Sequence, residues 1–154
     1  MSLRTFEGDL LLHDTPDGGD ICIEKGLMGN DQTFGTAVYL SLFGGNRDDS
    51  GRVENRRTWW GNTLRGVNEN QRLVSRFQAI IFGLPMTTGN ILDAEEAARL
   101  DLSWVITNGI ADEILANGRA VSRNRFSLTI RINAGGKTLY SNAFAVFWRS
   151  VNAV

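Results

Sequence analysis

The segment that most constrains the fold is the stretch from residue 126 to residue 148, in which apolar and polar side chains alternate. In FSLTIRI, residues 126–132, Phe, Leu and Ile recur at every second position, with Ser, Thr and Arg between them. A period of two indicates a strand with one buried face. NAGGK then supplies a turn into TLYSNAFAVFW, residues 138–148. This pattern predicts an antiparallel hairpin near the end of the chain.

Two helices are predicted before that hairpin from apolar spacing and from the residues that end each helix. TFGTAVYLSLF, residues 33–43, precedes Gly44 and Gly45, which end a helix. Residues 69–82 form the second, and Gly83 and Pro85 close it. The apolar positions of this second helix are Leu73, Phe77, Ile80 and Ile81.

A third helix is predicted over about residues 94–108. Asp93 is placed to cap its first turn, with Glu96 completing a capping box, and Asn108-Gly109 provides a left-handed stop. Its predicted buried face consists of Ala97, Leu100 and Trp104.

Short strands are predicted on both sides of the helices. Residues 3–13 and 20–24 flank the turn-forming sequence TPDGGD. Residues 110–116 can continue the third helix but fit the start of a further strand slightly better. Strands, then helices, then strands indicate an α+β fold, in which about three helices pack on one face of an antiparallel sheet.

The size and composition predict one domain over residues 1–154, with a long exposed loop over about residues 44–58. The chain is 42% hydrophobic and 21% charged, as is usual for a globular domain. Cys22 is the single cysteine, which excludes an intrachain disulfide. Because neither a signal peptide nor an apolar run of about 20 residues is evident, we expect a soluble protein made in the cytoplasm.

Charge is distributed in blocks along the chain although the net charge is only −1. Residues 1–50 carry nine acidic side chains against three basic ones, whereas residues 118–154 carry six basic and no acidic ones. The simpler interpretation is that these blocks are solvated faces that attract one another within the fold. The alternative is assembly, in which acidic and basic patches dock onto neighbours of complementary sign.

The residues required for common catalytic and metal sites are scarce. His13 is the only histidine, which excludes histidine-rich metal sites and leaves a Ser-His-Asp triad only around that residue. Asp14, Asp17 and Asp20 do not have the spacing of an EF-type calcium loop. Gly135-Gly136-Lys137 lies in a hairpin turn, so it is not a phosphate-binding loop. We therefore expect no metal and no cofactor.

Two further groups of residues have a structural and a functional interpretation. Glu95, Glu96 and Asp101 are the candidate acids of a glycosidase, but adjacent helical residues diverge by about 100°, which favours a structural role. The basic tail interleaves Arg and Lys with aromatic residues, as single-stranded nucleic-acid sites do, but the aromatics lie mostly on the apolar positions of strands. We expect core packing, without binding to nucleic acid or membrane.

The order of two central motifs resembles a known family. TAVYLSLF, residues 36–43, is followed by a polar loop and then by RRTWWGN, residues 56–62. This order is similar to the Mu-like phage baseplate protein family, gene product 46, where a T-A-V-x-x-S-L-F helix precedes R-x-W-W-G-D. Ser75-Arg76-Phe77 resembles the family's G-S-R-L-W, and residues 94–109 resemble its A-x-x-A-L-x-W-L-x-x-D-G helix. The resemblance covers most of residues 7–148.

The resemblance implies a structural role in a virus particle. Family members are baseplate wedge components of contractile tails, similar in fold to a small wedge protein named for an early lysozyme assignment. The expected partners are other wedge proteins, with sheath, tail-tube or hub proteins as further candidates, and strand addition is the expected mode of joining the sheath. The expected location is the tail baseplate of the virion. The alternative is a small lysozyme-like tail enzyme that degrades cell wall.

The predicted partner-binding residues surround the adjacent tryptophans and comprise Arg56, Arg57, Trp59, Trp60 and Gly61. Neighbouring side chains in an extended segment point to opposite sides, so one indole can pack into the fold while the other faces outward. Large aromatics are frequent interface anchors, and arginines frequently supply the rim. We predict that one tryptophan belongs to the fold and the other to a partner.

Overall fold

The computed structural model of the chain describes eight stretches, which are residues 9–10, 12–15, 18–21, 23–24, 27–28, 30–31, 35–45 and 73–148. The chain divides into two compact units, Met1–Tyr39 and Leu40–Val154.

The described residues of the first unit include six short strands that pair as nested antiparallel ribbons. They are β1 (Asp9–Leu10), β2 (Leu12–Thr15), β3 (Gly18–Ile21), β4 (Ile23–Glu24), β5 (Leu27–Met28) and β6 (Asn30–Asp31). β2 pairs with β3, β4 with β5, and β1 with β6. The predicted N-terminal hairpin is confirmed, but its strand bounds are wrong. Pairing extends to Thr15 and Gly18, because only two residues separate the strands at that point.

Helix α1 (Gly35–Phe43) confirms the first predicted helix, which begins two residues later than expected. Gly44 ends it, donating its N–H to the carbonyl oxygen of Leu40 across 2.7 Å. A Cβ at Gly44 would overlap the Leu73 side chain and the Leu40 carbonyl, so this close approach requires glycine. Gly44 and Gly45 are buried, which differs from the exposed loop predicted there. Residues 46–58 of that loop lie outside the described residues.

Helix α2 (Arg76–Gly83) is shorter than the predicted helix because Ser75 caps it. The Ser75 Oγ accepts a hydrogen bond from the N–H of Gln78 at 2.9 Å, and Leu73 precedes the helix in an irregular segment. Phe77 and Ile81 are fully buried, as the helical spacing predicts. Gly83 ends the helix, which confirms the predicted end.

Helix α3 (Thr88–Asp101) begins six residues before the predicted start, so the capping box at Asp93 and Glu96 is wrong. Thr87 caps the helix instead, because its hydroxyl accepts the N–H of Asn90 at 3.2 Å. Asp93 is consequently inside the helix and exposed. The helix also stops at Leu102 rather than continuing to residue 108.

A short helix, α4 (Trp104–Thr107), continues the path and ends at Asn108 and Gly109, where φ of Gly109 is +68°. The predicted left-handed stop is therefore confirmed. Ala97 is buried and Trp104 half-buried as expected, but Leu100 is 48% exposed. The inner face of α3 is formed by Ala94, Ala97, Ala98 and Asp101.

A three-stranded antiparallel sheet follows, formed by β7 (Glu113–Ser122), β8 (Arg125–Ala134) and β9 (Lys137–Phe147), with β8 in the centre. The C-terminal hairpin is confirmed. Gly135 and Gly136 have φ of +56° and +74°, as a two-residue hairpin turn with two left-handed positions requires. The strand expected from residue 110 starts at Glu113 and is longer than predicted.

The helices lie on one face of this sheet. Phe126, Leu128, Ile130 and Ile132 of β8 are at most 1% exposed, which confirms the period of two. On that face, Phe126 lies 6.4 Å from the Phe77 ring of α2, and Phe144 lies 5.5 Å from the Phe43 ring of α1. The predicted α+β class, with helices against an antiparallel sheet, is confirmed.

Candidate partner-binding edge

β7 and β9 each have an outer edge, on the side away from β8. The hydrogen-bond pattern shows which backbone groups point to that edge. The N–H of Trp148 donates to the Asn124 carbonyl oxygen at 2.9 Å, so even-numbered residues from 140 to 148 direct their backbone groups toward β8, up to the register shift opposite Ile132 and Asn133. The odd-numbered residues therefore direct theirs outward. Consistent with this, the N–H of Ala143 bonds to the Asn142 side-chain oxygen at 2.9 Å.

The outer edge of β9 is long and has few features that discourage pairing with another strand. The edge positions are Ser141, Ala143, Ala145 and Phe147, all exposed. Residues 138–148 contain no charged residue, proline or glycine. Natural edge strands are usually short, charged, bulged or covered, because an open edge recruits another strand. Among the described strands, none pairs with this edge.

The outer edge of β7 differs because helix α3 occupies part of it. The Glu95 Oε1 accepts a hydrogen bond from the N–H of Gly118 at 2.6 Å. A Cβ at Gly118 would overlap the Phe126 ring and contact the Glu95 side chain, so glycine permits this close approach. In the described part of the chain, β9 therefore offers the more accessible edge.

Phe147 and Trp148 are adjacent aromatic residues at the end of β9 with opposite environments. Trp148 is fully buried, its ring lies 5.0 Å from the Phe126 ring, and its indole N–H donates to the Leu84 carbonyl oxygen at 2.7 Å. Phe147 is 60% exposed on the face of the sheet opposite the helices. One aromatic of the pair thus belongs to the core and the other is available to a partner.

The five residues predicted to bind partners, Arg56, Arg57, Trp59, Trp60 and Gly61, lie outside the described residues. The division of roles between Trp59 and Trp60 stays a prediction. The side chain of His13 and the residues Cys22 and Asp17 are likewise outside the described part. No group of three His, Cys, Asp or Glu side chains that could hold a metal ion occurs among the described residues.

The candidate glycosidase acids have separate environments. Glu95 accepts the Gly118 N–H, and Glu96 accepts two hydrogen bonds from Arg99, at 2.6 and 2.9 Å. The depression between α2 and α3, of about 260 Å³, is lined by Glu96 and Asp93 but by neither Glu95 nor Asp101. The three carboxylates are not gathered in one cleft.

Asp101 is the last residue of α3, and its carboxylate contacts the first residues of α2, so it links the two helices. Its Oδ2 accepts the Phe77 N–H at 2.9 Å, and its Oδ1 lies 3.1 Å from the Arg76 guanidinium. The Ser75 Oγ lies 3.1 Å from this carboxylate and 2.6 Å from the Leu42 carbonyl oxygen, and its single proton cannot serve both. Burial raises the pKa of Asp101 above its ordinary value of 3.8, against the opposing effect of these donors.

The edge of β9 and the role of Glu95 were missed by reasoning from sequence. Residues 138–148 contain neither a charged residue nor proline, which is unusual for an edge strand, but only the strand order shows that β9 is at the edge. Glu95 carries no such signal, because its partner Gly118 is 23 residues away in a strand whose extent the sequence did not reveal.

In the described part of the chain, no helix is both long and apolar enough to cross a membrane. Comparisons of the chain with protein-family models, with curated proteins and with solved structures find no match.

Proposed function

We propose that this chain is a structural subunit of the baseplate of a contractile phage tail. In this role it joins wedge proteins around the tail tube through its exposed sheet edge, where strand addition also offers a junction to the sheath. Its partners are proteins, and the subunit performs no chemical step.

The proposal is supported first by the order of two sequence motifs. TAVYLSLF lies entirely within α1, and RRTWWGN follows after a polar stretch of sequence, as in the resembled family. Two weaker similarities lie at residues 75–77 and 94–109, and residues of these two segments contact each other. Ser75, Arg76 and Phe77 all lie against Asp101.

The observation that carries the proposal is the free edge of β9. Strand addition requires outward-directed N–H and C=O groups along an extended segment, with small side chains beside them. Ser141 and Ala145 meet this requirement, whereas the Ala143 N–H is bonded to the Asn142 side chain and must exchange that bond for the incoming strand. Phe147 adds an exposed apolar ring at the end of the same edge. A subunit that joins other chains needs such a surface, whereas an isolated enzyme gains only a risk of aggregation from it.

Co-expression with a large wedge protein of the same proposed baseplate tests the proposal. We expect the two chains to co-purify, and we expect this chain among the proteins of purified tails. Failure to co-purify, together with absence from tails, would refute the structural role. A peptidoglycan-clearing assay on wild type, Glu95→Gln and Glu96→Gln addresses the enzymatic alternative, and clearing that either change abolishes would replace the proposal.

A further inference from the structure

The sheet face opposite the helices carries exposed arginines on neighbouring strands. Arg125 and Arg131 lie six residues apart on β8, which is about 20 Å along a strand. Arg119 of β7 is opposite Ser127, two positions from Arg125 on the same face. All three are exposed. Arg125 is also opposite Phe147 of β9, so the exposed ring borders the basic surface.

Few of the described acidic side chains lie near this arginine face, which is formed by Arg119, Arg125 and Arg131. Among the described residues, ion pairs join Arg76 to Asp101 and Arg99 to Glu96, and neither pair involves the arginine face. Glu113, the acidic residue of the described strands β7 to β9, accepts a hydrogen bond from Asn133 at 2.7 Å. The basic residues therefore lack carboxylate partners in the described part of the chain.

The surroundings of the arginines favour a protein over a nucleic acid as their ligand. Sites for single-stranded nucleic acid on a sheet combine basic residues with several exposed aromatic rings for stacking. Here Phe126 and Trp148 are buried on the helix side, and among the described aromatic residues only Phe147 is exposed on the arginine face. The net charge of −1 also gives no general attraction for a polyanion.

We propose that the arginine face, with the edge of β9 beside it, binds an acidic, extended segment of a partner protein. Guanidinium groups of Arg119, Arg125 and Arg131 pair with carboxylates of that segment, and Phe147 covers an apolar side chain next to them. Carboxylates at alternate positions of an extended segment recur about every 7 Å, so successive ones can reach neighbouring arginines. This inference names the chemistry of the partner and rests on the proposed function.

The test uses the full chain and two labelled peptides of ten residues, one alternating Glu with Thr and the other alternating Gln with Thr. Fluorescence anisotropy is expected to show tighter binding of the Glu peptide, weakening as salt is added. Arg125→Gln should weaken that binding about tenfold, since it removes a charge-assisted contact. Arg99→Gln changes a partly exposed arginine on α3, outside the sheet, and should leave the binding unchanged.

Several results would overturn the inference. These are equal binding of the two peptides, equal effects of Arg125→Gln and Arg99→Gln, or tighter binding of a thymidine oligonucleotide than of the Glu peptide. Self-association that Arg125→Gln abolishes would assign the face to a second copy and equally overturn it. If the peptides fail while co-purification with the wedge protein persists in Arg125→Gln, the inference fails and the proposed function stands.

Discussion

The Glu95 Oε1 accepts the backbone N–H of Gly118 at 2.6 Å, which fastens α3 to the outer edge of β7. Removal of the acceptor leaves a half-buried N–H without this partner. We therefore expect Glu95→Ala to lower the free energy of unfolding by about 1–2 kcal/mol. Urea denaturation followed by circular dichroism measures the change.

Glu96→Ala is the matched control, because Glu96 is the next residue and pairs with Arg99 at the exposed surface. An exposed pair three residues apart contributes only about 0.2–0.5 kcal/mol. Equal losses in the two variants would contradict the role assigned to Glu95.

Gly118→Ala tests the close packing at the same point. The added methyl group would overlap the Phe126 ring, which is fully buried and cannot move freely. We expect a loss of about 1–3 kcal/mol, from overpacking. Gly89→Ala in α3 meets no atom within 4 Å and should stabilise by about 0.5–1 kcal/mol, so thermal unfolding should shift in opposite directions for the two variants.

The buried carboxylate of Asp101 should give the free energy of unfolding an unusual dependence on pH. Because burial raises its folded pKa above 3.8, the folded protein keeps this proton at a pH where the unfolded chain has released it. The contribution of Asp101 to stability is therefore complete below pH 3.8 and is lost as pH rises through the folded pKa. The stability of wild type relative to Asp101→Asn should fall over that range, as measured by denaturation between pH 3 and pH 7. A relative stability that rises with pH would show that the donors outweigh burial.

Substitutions at the adjacent residues Phe147 and Trp148 should have different effects, one on partner binding and the other on stability. Trp148→Ala removes a fully buried ring and its hydrogen bond to Leu84, so we expect a loss of about 3–5 kcal/mol. Phe147→Ala changes an exposed side chain and should alter stability by less than about 0.5 kcal/mol. In the co-purification assay, the stable Phe147→Ala protein should retain less of the wedge partner. Full retention would remove Phe147 from the proposed interface.

Elements with a strong local pattern were predictable. Residues 126–148 alternate so regularly that one buried face and a two-glycine turn follow from the sequence. The start of α3 could not be predicted from the sequence, because Asp93 and Glu96 form a better local capping pattern than Thr87 does. Thr87 nevertheless caps the helix through Asn90, and Asn90 also donates to the Pro85 carbonyl oxygen at 2.7 Å.

The buried face of α3 shows a second limit of reasoning from sequence. Apolar spacing favours Leu100 as a core residue, yet Asp101 is buried in its place. A buried carboxylate depends on donors from α2 that lie about 25 residues earlier in the chain, and a single-helix pattern carries no information about them. The same holds for the β9 edge, since only strand order distinguishes an edge strand from a central one.

Co-purification of an edge-blocked variant with the large wedge protein tests the central claim most directly. The N–H of Ala145 points away from β8, so Ala145→Pro blocks an incoming strand without removing a hydrogen bond of the sheet. Ala120→Pro is the matched control, because Ala120 lies two residues from Gly118, whose N–H points away from β8, and just before the register shift of β7. If β9 receives the partner, Ala145→Pro abolishes co-purification and Ala120→Pro preserves it. Retention of the partner by folded Ala145→Pro protein would contradict strand addition at β9.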